Sequence, residues 1–279
     1  MRIVSIGEIL WDIFPGAEHL GGAPFNFALN AKQLGHDVRF LSAIGTDDRG
    51  RRALDRMDRL GLSKEFIQST SEAPTGTVTV TFDSAVEPHY SIHRPAAYDR
   101  LDLTVSSLAR LADFQPDWIY FGTLYQMDPH SRAVVIKLLQ TLPRARRFYD
   151  VNLRPNSYTF ELVQDLMRDA DVVKLNADEA RTIQPGSSNA EAFCRAFARN
   201  YDLQAICVTR GADGCVAMVG DEYVERPAYP VSVADPVGAG DAFAAAFLHG
   251  IGLGLPAAKI ADFANHAGAQ AAGHAGAIP

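Results

Sequence analysis

Short apolar runs alternate with longer stretches of helical periodicity along most of the chain. The apolar runs are rich in β-branched and aromatic residues and predict strands at residues 2–7, 38–44, 118–121, 147–151, 172–175 and 205–209, with one or two more in 214–224. The longer stretches predict helices at about residues 21–34, 48–60, 130–141, 160–168, 177–183, 190–200, 242–247 and 256–273. Strands and helices that alternate in this way predict an α/β fold with a parallel sheet.

Residues 74–99 interrupt this alternation. Polar residues alternate with β-branched or aromatic ones over 75–82 and 88–93, with a polar turn between, which predicts a β-hairpin. A hairpin inside a βαβ protein suggests a small sheet or lid that protrudes from the main body, to which residues 94–99 return. We expect one domain over residues 1–279, with a lid formed mainly by residues 74–99 and joined by residues near 10–20.

Composition narrows the class of protein. With 279 residues, 47% of them hydrophobic, the chain can bury a sizeable core. A net charge of −7 and a pI near 5.6 argue against a nucleic-acid partner. The three cysteines share no metal-ligand spacing and are expected to be buried thiols in a reducing compartment, and the eight histidines form no metal-binding cluster. The opening strand is too short for a signal peptide, and no apolar run could span a membrane, so we expect a cytoplasmic protein.

The most informative motif is Asp-Pro-Val-Gly-Ala-Gly-Asp at residues 235–241, followed by an alanine-rich helix. A glycine turn that opens directly into a helix presents unpaired backbone N–H groups at the positive end of the helix dipole, which favours an anion. Asp241 lies in the first turn of that helix, where its carboxylate would repel a phosphate. It is better suited to remove a proton from a group that attacks the phosphate. The alternative is that Asp241 only caps the helix.

Polar residues recur where the predicted strands end. Asp12 lies just past the first strand, Gly21 to Asn26 open the first helix with Pro24 near its first position, and further polar clusters lie at residues 122–123, 150–154 and 176–179. The carboxyl ends of parallel strands are where open α/β sheets bind ligands. Each cluster alone could be a capping or loop segment, but their recurrence at one edge predicts a binding site there.

These motifs together resemble the ribokinase-like (PfkB) family of carbohydrate kinases, most closely its fructokinase branch. One signature is Gly-Gly-Ala-Pro-Phe-Asn-Phe-Ala at 21–28, continuing through residues 34–35 and 45–47, and the second covers 235–243. Between them lie Asn176-x-x-Glu179 and the Thr-Arg-Gly at 209–211. The resemblance implies a three-layer αβα sandwich with a small β lid. It also implies transfer of the γ-phosphoryl group of ATP to a primary hydroxyl of a small sugar, most simply fructose.

The resemblance also implies roles for single residues. Asp241 would be the general base, the backbone of Gly238, Ala239 and Gly240 the anion hole, and Arg154 a cation that neutralises phosphate charge during transfer. Residues implied in sugar binding are Asp12, Gly21, Gly22, Asn26, Arg94, Tyr98, Asn152 and Asp241. Residues implied in nucleotide binding are Lys174, Asn176, Thr209, Gly211, Gly214, Gly238, Gly240 and Asn265.

Two metal sites follow from the same resemblance. Asn176 and Glu179 would arrange Mg²⁺ and its waters, and K⁺ would lie at Asp235 with carbonyls near Val237 and Ala275. Many members have two threonines where this chain has Pro-Val at 236–237, which puts the strength of K⁺ activation in doubt. Lids in this family often form dimers, so a homodimer through the lid is a further expectation.

Several alternatives stay open at this point. A kinase for 2-keto-3-deoxygluconate would suit the stretch from Asn152 to Arg154, with Arg94 as a second cation for the substrate carboxylate. A nucleoside kinase is disfavoured by Trp11 and by the sequence of residues 96–99, and a nicotinamide oxidoreductase by the absence of a glycine-rich turn after the first strand. A catalytically silent sugar-binding regulator should have lost Asp241.

Overall fold

Nine strands form the central sheet of the protein. The structure is a computed structural model, and it describes residues 1–82, 88–186, 189–235 and 237–274. The strands of this sheet and of a second, smaller sheet are β1 (Arg2–Ile6), β2 (Leu10–Phe14), β3 (Ala17–Gly21), β4 (Asp37–Gly45), β5 (Ile67–Thr70), β6 (Gly76–Phe82), β7 (Pro88–His93), β8 (Trp118–Gly122), β9 (Arg146–Asp150), β10 (Val172–Asn176), β11 (Ala205–Thr209), β12 (Cys215–Val219) and β13 (Glu222–Arg226). The central order is β13-β12-β11-β10-β9-β8-β1-β4-β5, with parallel pairing from β11 to β5 and antiparallel pairing of β12 and β13 at the other end.

Helices cover both faces of this sheet. They are α1 (Ala23–Gln33), α2 (Asp48–Arg59), α3 (Val105–Phe114), α4 (Pro129–Thr141), α5 (Phe160–Arg168), α6 (Ala177–Ile183), α7 (Ala190–Tyr201), α8 (Ala239–Gly252) and α9 (Ala257–Ala272). Successive side chains of a strand point to opposite faces. On β1, Ile3 therefore joins the apolar cluster of α1, α2, α8 and α9, while Val4 joins that of α3, α4, α5 and α7. The predicted three-layer α/β fold is confirmed.

A second, four-stranded sheet, which we call the lid sheet, has the order β3-β2-β6-β7. The hairpin of β6 and β7 is antiparallel, as the sequence predicts, and β2 pairs in parallel with β6. Asp12, expected just past the first strand, lies within a further strand, β2, opposite His19 on one side and Val78 on the other. The partner strand β6 is distant in sequence, so no local pattern indicates this pairing.

Three further elements differ from the sequence-based expectation. Strand β5 and helix α3 were not predicted, and α8 is longer than the expected 242–247. Thr104 caps α3 by accepting the N–H of Ser107, and the helix packs Leu108 and Leu111 into the core. Helix α8 begins at Ala239 because Gly238, at φ 82°, turns the chain directly into it. No helix within the described ranges is long and apolar enough to cross a membrane.

Candidate active site

A cavity of about 360 Å³ lies between the lid sheet and the carboxyl ends of the central strands. It contains most of the predicted site residues, and its described lining is Glu8, Leu10, Asp12, Phe14, Gly22, Ala23, Asn26, Val78, Tyr90, Ile92, Leu124, Asn152, Arg154, Lys174, Asn176, Thr209, Val237, Gly238, Gly240 and Asp241. A larger hollow of about 550 Å³ lies where β1, β8 and β9 begin, around Arg2 and Arg146. None of its lining residues belongs to the predicted site.

The start of α8 forms one wall of the cavity. Gly238 has φ 82° and precedes the helix, and the N–H groups of Asp241 and Ala242 both donate to its carbonyl oxygen. The earlier N–H groups of the helix, including those of Ala239 and Gly240, have no acceptor within it. A Cβ on Gly240 would lie 3.2 Å from the Lys174 Nζ, so this turn is in close contact with an ammonium group. Both features favour an anion at this wall.

Asp241 is partly buried in the first turn of α8 and faces the cavity. Its Oδ2 accepts a hydrogen bond of 2.8 Å from the Asn26 Nδ2. Burial, followed by the charge of Asp150, raises the pKa of Asp241 to about 7, although Asn26, Lys174 and Arg154 act in the opposite direction. A carboxyl group with this pKa can take up a proton near neutral pH, which a carboxylate used only as a helix cap would not require.

Lys174 lies against this wall and is held by Asp150, a residue that the sequence analysis did not assign to the site. The Lys174 Nζ lies 3.0 and 3.2 Å from the two carboxylate oxygens of Asp150, and the Tyr120 hydroxyl donates to the same carboxylate at 3.0 Å. All three side chains are buried. Burial alone would lower the pKa of Lys174, but the nearby carboxylates, Asp150 foremost, keep it above its ordinary value. The sequence signal for Asp150 was its place in the polar cluster of residues 150–154 at the end of β9.

Asn176 and Glu179 form a capping box at the start of α6. The Asn176 Oδ1 accepts the N–H of Glu179 at 2.9 Å, and the Glu179 Oε2 accepts the N–H of Asn176 at 2.7 Å. The other carboxylate oxygen of Glu179 accepts the N–H of Leu153 at 2.8 Å. Asn176 lines the cavity, whereas Glu179 lies buried behind it.

This arrangement fits a hydrated magnesium ion better than one bound directly by the protein. Among the described residues, no group of three or more His, Cys, Asp or Glu side chains could hold a metal. Mg²⁺ usually keeps several waters and is held by one or two protein groups and by substrate phosphates. Asn176, which lines the cavity, would bind such a water, and Glu179, whose oxygens accept backbone N–H groups, would act on it from a greater distance.

Asp12 and Gly22 line the cavity, and Gly21, which is not part of the described lining, lies next to Asp12. Burial raises the pKa of Asp12 to about 6, while Arg154 and His19 lower it. A Cβ on Gly21 would lie 3.0 Å from the Asp12 Oδ2, so the glycine backbone and this carboxylate are in contact. Gly22 has φ 111°, and a Cβ there would lie 2.5 Å from the Glu8 carbonyl oxygen. The two glycines therefore allow the chain before α1 to pack directly on β2 and on the residues after β1.

We expect Gly22→Ala to lower the free energy of unfolding by about 2 kcal/mol more than Gly35→Ala, as measured by urea denaturation. Both glycines have a positive φ, but a Cβ on Gly35 meets nothing within 4 Å, whereas one on Gly22 meets backbone. The matched control therefore separates backbone strain from steric overlap. Equal losses for the two variants would show that the contact with Glu8 is of no importance.

The structure does not bring all predicted residues to the cavity. The Arg94 guanidinium donates to the Leu124 carbonyl at 2.6 Å and lies 3.6 Å from the Asp99 carboxylate. Tyr98 is fully buried below β6, where a Cβ on Gly76 would lie 2.6 Å from its ring. Neither residue is part of the described lining. Both lie where the lid sheet joins the main body, which suits support of the cavity better than direct contact with a sugar.

Of the residues predicted to bind the nucleotide, some line the cavity and others do not. Thr209 lines the cavity, but Gly211, Gly214 and Asn265 are not part of its described lining. Gly214 allows the close passage of β13, because a Cβ there would lie 2.0 Å from the Arg226 carbonyl oxygen. The Asn265 amide donates to the Pro227 carbonyl at 3.0 Å.

Only part of the predicted K⁺ site can be described. The Asp235 Oδ1 accepts the N–H of Val237 at 2.9 Å and so fixes the turn before α8. Val237 lines the cavity. Ala275 lies outside the described residues.

Comparison with known proteins identifies the family to which the chain belongs. The model of the pfkB family carbohydrate kinases matches residues 16–279. One similar relative is the fructokinase of Escherichia coli, which is 26% identical over 99% of this chain and 95% of its own length. Another is the 2-dehydro-3-deoxygalactonokinase of Haloferax volcanii, which is 27% identical over 84% of this chain and 76% of its own length. The structure of a fructokinase from Xylella fastidiosa with bound ATP superimposes with a TM-score of 0.86 at 25% identity, covering 100% of this chain and 95% of that one. The chain therefore belongs to the pfkB family of carbohydrate kinases, which are phosphotransferases.

Proposed function

We propose that this sugar kinase transfers the γ-phosphoryl group of ATP to a primary hydroxyl of fructose, with Asp241 as the general base. The observation that carries the proposal is the position of Asp241. Its carboxyl group faces the cavity from the first turn of α8, beside N–H groups without a helical acceptor, and is oriented by the Asn26 amide. A proton acceptor and an anion site thus lie side by side, as transfer of a phosphoryl group to a hydroxyl requires.

The proposed step follows from these two groups. The Asp241 carboxylate takes the proton of the sugar hydroxyl as its oxygen bonds to the γ-phosphorus, and the bond from that phosphorus to the bridging oxygen of ADP breaks. The N–H groups around Gly238 to Gly240 stabilise the negative charge that develops on the transferred group. Arg154, exposed and lining the cavity with its Cζ 6.0 Å from the Tyr90 ring centroid, adds positive charge on the lid side.

The nucleotide and metal assignments rest on the same end of the sheet. The fructokinase from Xylella fastidiosa was solved with ATP, which supports ATP as the phosphoryl donor here. We place the phosphates of ATP near Lys174, Asn176 and Thr209, on β10 and β11. Mg²⁺ would supply neutralisation of the phosphate charge, with Asn176 and Glu179 arranging its waters. A K⁺ ion near Asp235 and Val237 stays a prediction.

The sugar would lie between Gly22, just before α1, and the strands β6 and β7 of the lid sheet. Asp12 and Asn26 offer hydrogen-bonding groups for its hydroxyls, and Val78 and Ile92 provide an apolar cover from β6 and β7. Such a cover keeps water, a competing acceptor of the phosphoryl group, away from the reacting atoms. We further propose that the lid sheet and the central sheet form a single kinase domain. A homodimer through the lid stays a prediction, and a sedimentation mass near that of one chain, 30.3 kDa, would contradict it.

Fructose is favoured by the fructokinases among the relatives, and one observation supports a second candidate. Arg154 lines the cavity, where a guanidinium could bind the carboxylate of a sugar acid such as 2-keto-3-deoxygluconate. The relative from Haloferax volcanii carries the name of a kinase for a related sugar acid. Arg94, the second cation that such a substrate would use, is instead bound to Leu124 and lies near Asp99.

We expect a panel of sugars to distinguish these candidates. ATP-dependent release of ADP would be measured with fructose, glucose, ribose, 2-keto-3-deoxygluconate and adenosine, and fructose should show the highest kcat/KM. Turnover of the sugar acid alone would overturn the fructose assignment and leave the kinase chemistry in place. If no sugar were phosphorylated while one still bound in calorimetry, the protein would be a sugar-binding regulator.

A further inference from the structure

Glu8 is a buried carboxyl group in the cavity wall to which the sequence motifs assign no role. It follows β1, is 3% exposed, and is part of the described lining. Its Oε2 is buried and has no hydrogen-bond partner among the described residues. A buried polar atom without a partner costs free energy, so such atoms persist mainly where a ligand or a water completes them. Because Glu8 lines the cavity, the ligand that completes it would be the substrate.

The backbone around Glu8 holds the side chain in this position. Gly22 packs so closely that a Cβ there would lie 2.5 Å from the Glu8 carbonyl oxygen and 3.4 Å from the Glu8 Cγ. The glycine turn before α1 therefore lies directly against Glu8. The side chain is fixed on the wall that also carries Asn26, whose amide binds Asp241.

Glu8 also adds to an uneven balance of charge in the cavity. Three carboxyl groups, those of Glu8, Asp12 and Asp241, line it. The cations in the described lining are Arg154, which is exposed, and Lys174, which is already paired with Asp150. Burial raises the pKa of each of the three carboxyl groups, whereas the positive charge of Arg154 lowers it in each case.

This balance discriminates between classes of sugar. A carboxylate on the substrate would bring another negative charge into a partly buried site, where repulsion between like charges is stronger than in water. The positive charge of Arg154, the guanidinium that could bind it, is outnumbered by the three carboxyl groups that line the same cavity. An uncharged polyol carries no such penalty, and its hydroxyls can donate to or accept from each carboxyl group.

We propose that Glu8 is a substrate-binding residue that contacts a sugar hydroxyl and, with Asp12 and Asp241, makes the cavity selective for uncharged sugars over sugar acids. The inference rests on the proposed function, because it concerns the acceptor site of the same kinase. It adds a contact and a class of substrate, and it does not depend on fructose being the particular sugar.

Glu8→Gln tests this assignment, because glutamine keeps the shape of the side chain and removes its negative charge. Steady-state kinetics would be measured with fructose and with 2-keto-3-deoxygluconate at pH 8, above the pKa of about 7 to which burial raises Glu8, so that its carboxyl group is mainly ionised in the wild type. We expect kcat/KM for fructose to fall about tenfold, mainly through KM, because a hydrogen bond to a buried carboxyl group is lost or weakened. The ratio of kcat/KM for the sugar acid to that for fructose should rise at least about tenfold as repulsion is removed, and KM for ATP should not change. Glu161→Gln removes a negative charge from an exposed residue of α5 that is not part of the described lining, and it should leave all of these values unchanged.

Several outcomes would overturn the assignment. A fall in kcat/KM by the same factor for both sugars, together with a lower Tm, would mean that Glu8 has only a structural role. A wild-type preference for the sugar acid would contradict the charge argument. Ribose or glucose could be a substrate when fructose is not. If Glu8→Gln then raises the ratio of kcat/KM for the sugar acid to that for this uncharged sugar, the fructose assignment fails and this inference stands.

Glu8→Asp provides a second test if the glutamine variant does not fold. Aspartate keeps the charge but withdraws the carboxyl group by one methylene. We expect KM for the uncharged sugar to rise while the discrimination against the sugar acid is retained. An aspartate variant with unchanged KM for the uncharged sugar would overturn the proposed contact.

Discussion

Asp241→Asn is expected to lower kcat for sugar phosphorylation by about three orders of magnitude, within the range ascribed to a positioned general base. Asparagine preserves the shape of the side chain, but its amide cannot take the proton of the sugar hydroxyl. The Asn26 amide donates a hydrogen bond to the Asp241 Oδ2 at 2.8 Å. The side-chain oxygen of an asparagine can still accept this hydrogen bond, so the turn should stay intact. The measurement is kcat with saturating ATP and fructose, with Tm as the control for folding.

The pH dependence of the wild-type enzyme should report the same group. Burial raises the pKa of Asp241 to about 7, so kcat/KM should fall about tenfold per pH unit below that value as the base becomes protonated. Burial also raises the pKa of Glu8 to about 7. Burial raises the pKa of Asp12 to about 6, so this residue would act about one pH unit lower, and an acidic limb near pH 7 that persists in Glu8→Gln belongs to Asp241. Full activity of Asp241→Asn, or a flat profile from pH 5 to 8, would show that Asp241 only caps α8.

The stability of Asp241→Asn relative to wild type should also depend on pH, in a direction fixed by the same shift. The pKa of this carboxyl group is raised in the folded state from its ordinary value of 3.8 to about 7. The folded protein thus binds the proton more tightly than the unfolded chain, and stability is lost as pH rises from about 4 through about 7. The variant, which cannot ionise there, should gain Tm relative to wild type between pH 4 and pH 8.

Asp150→Ala is expected to lower the free energy of unfolding by about 3–5 kcal/mol, because it leaves the Lys174 ammonium buried without its partner. The side chains of Lys174 and Asp150 are only 8% and 1% exposed, and the Tyr120 hydroxyl would lose its acceptor as well. Urea denaturation measures this loss. Activity should fall too, because Lys174 lies against Gly240 at the start of α8.

The double variant Asp150→Ala/Lys174→Met shows whether the loss comes from the unpaired charge. Methionine removes the ammonium and fills similar space, so the double variant should recover much of the stability lost in Asp150→Ala. A matched control is Arg181→Ala, which breaks the exposed pair with Asp178 and should change stability by less than about 1 kcal/mol. A double variant no more stable than Asp150→Ala would contradict this account of the ion pair.

Features encoded by neighbouring residues were predicted from the sequence. Helices α5 and α6 have the expected bounds, and Asn176 and Glu179, three residues apart, form a capping box in the structure. The turn of Gly238 into α8 was predicted because glycine allows the positive φ that the turn requires. In each case the deciding interaction joins residues within one helical turn of each other.

Features that depend on distant segments were decided by the tertiary structure. Asn26 binds Asp241 across 215 positions, and Lys174 pairs with Asp150 across 24. Residues near 10–20 were expected to join the lid, but alternation of polar and apolar residues does not specify the partner of a strand, so the pairing of Asp12 with Val78 on β6 could not be predicted. Glu8 likewise gave no local signal, because its burial results from contact with the glycine turn before α1.

The sequence by itself therefore determined the α/β fold, the family and the local motif around Asp241, since backbone conformation and helix capping depend on adjacent residues. Only the tertiary structure decided which charges meet in the cavity. Packing brought Glu8, Asp12 and Asp241 to the same cavity and turned Arg94 towards Leu124 and Asp99. The physical reason is that burial and Coulomb interactions depend on distance in space, which the order of residues along the chain does not specify.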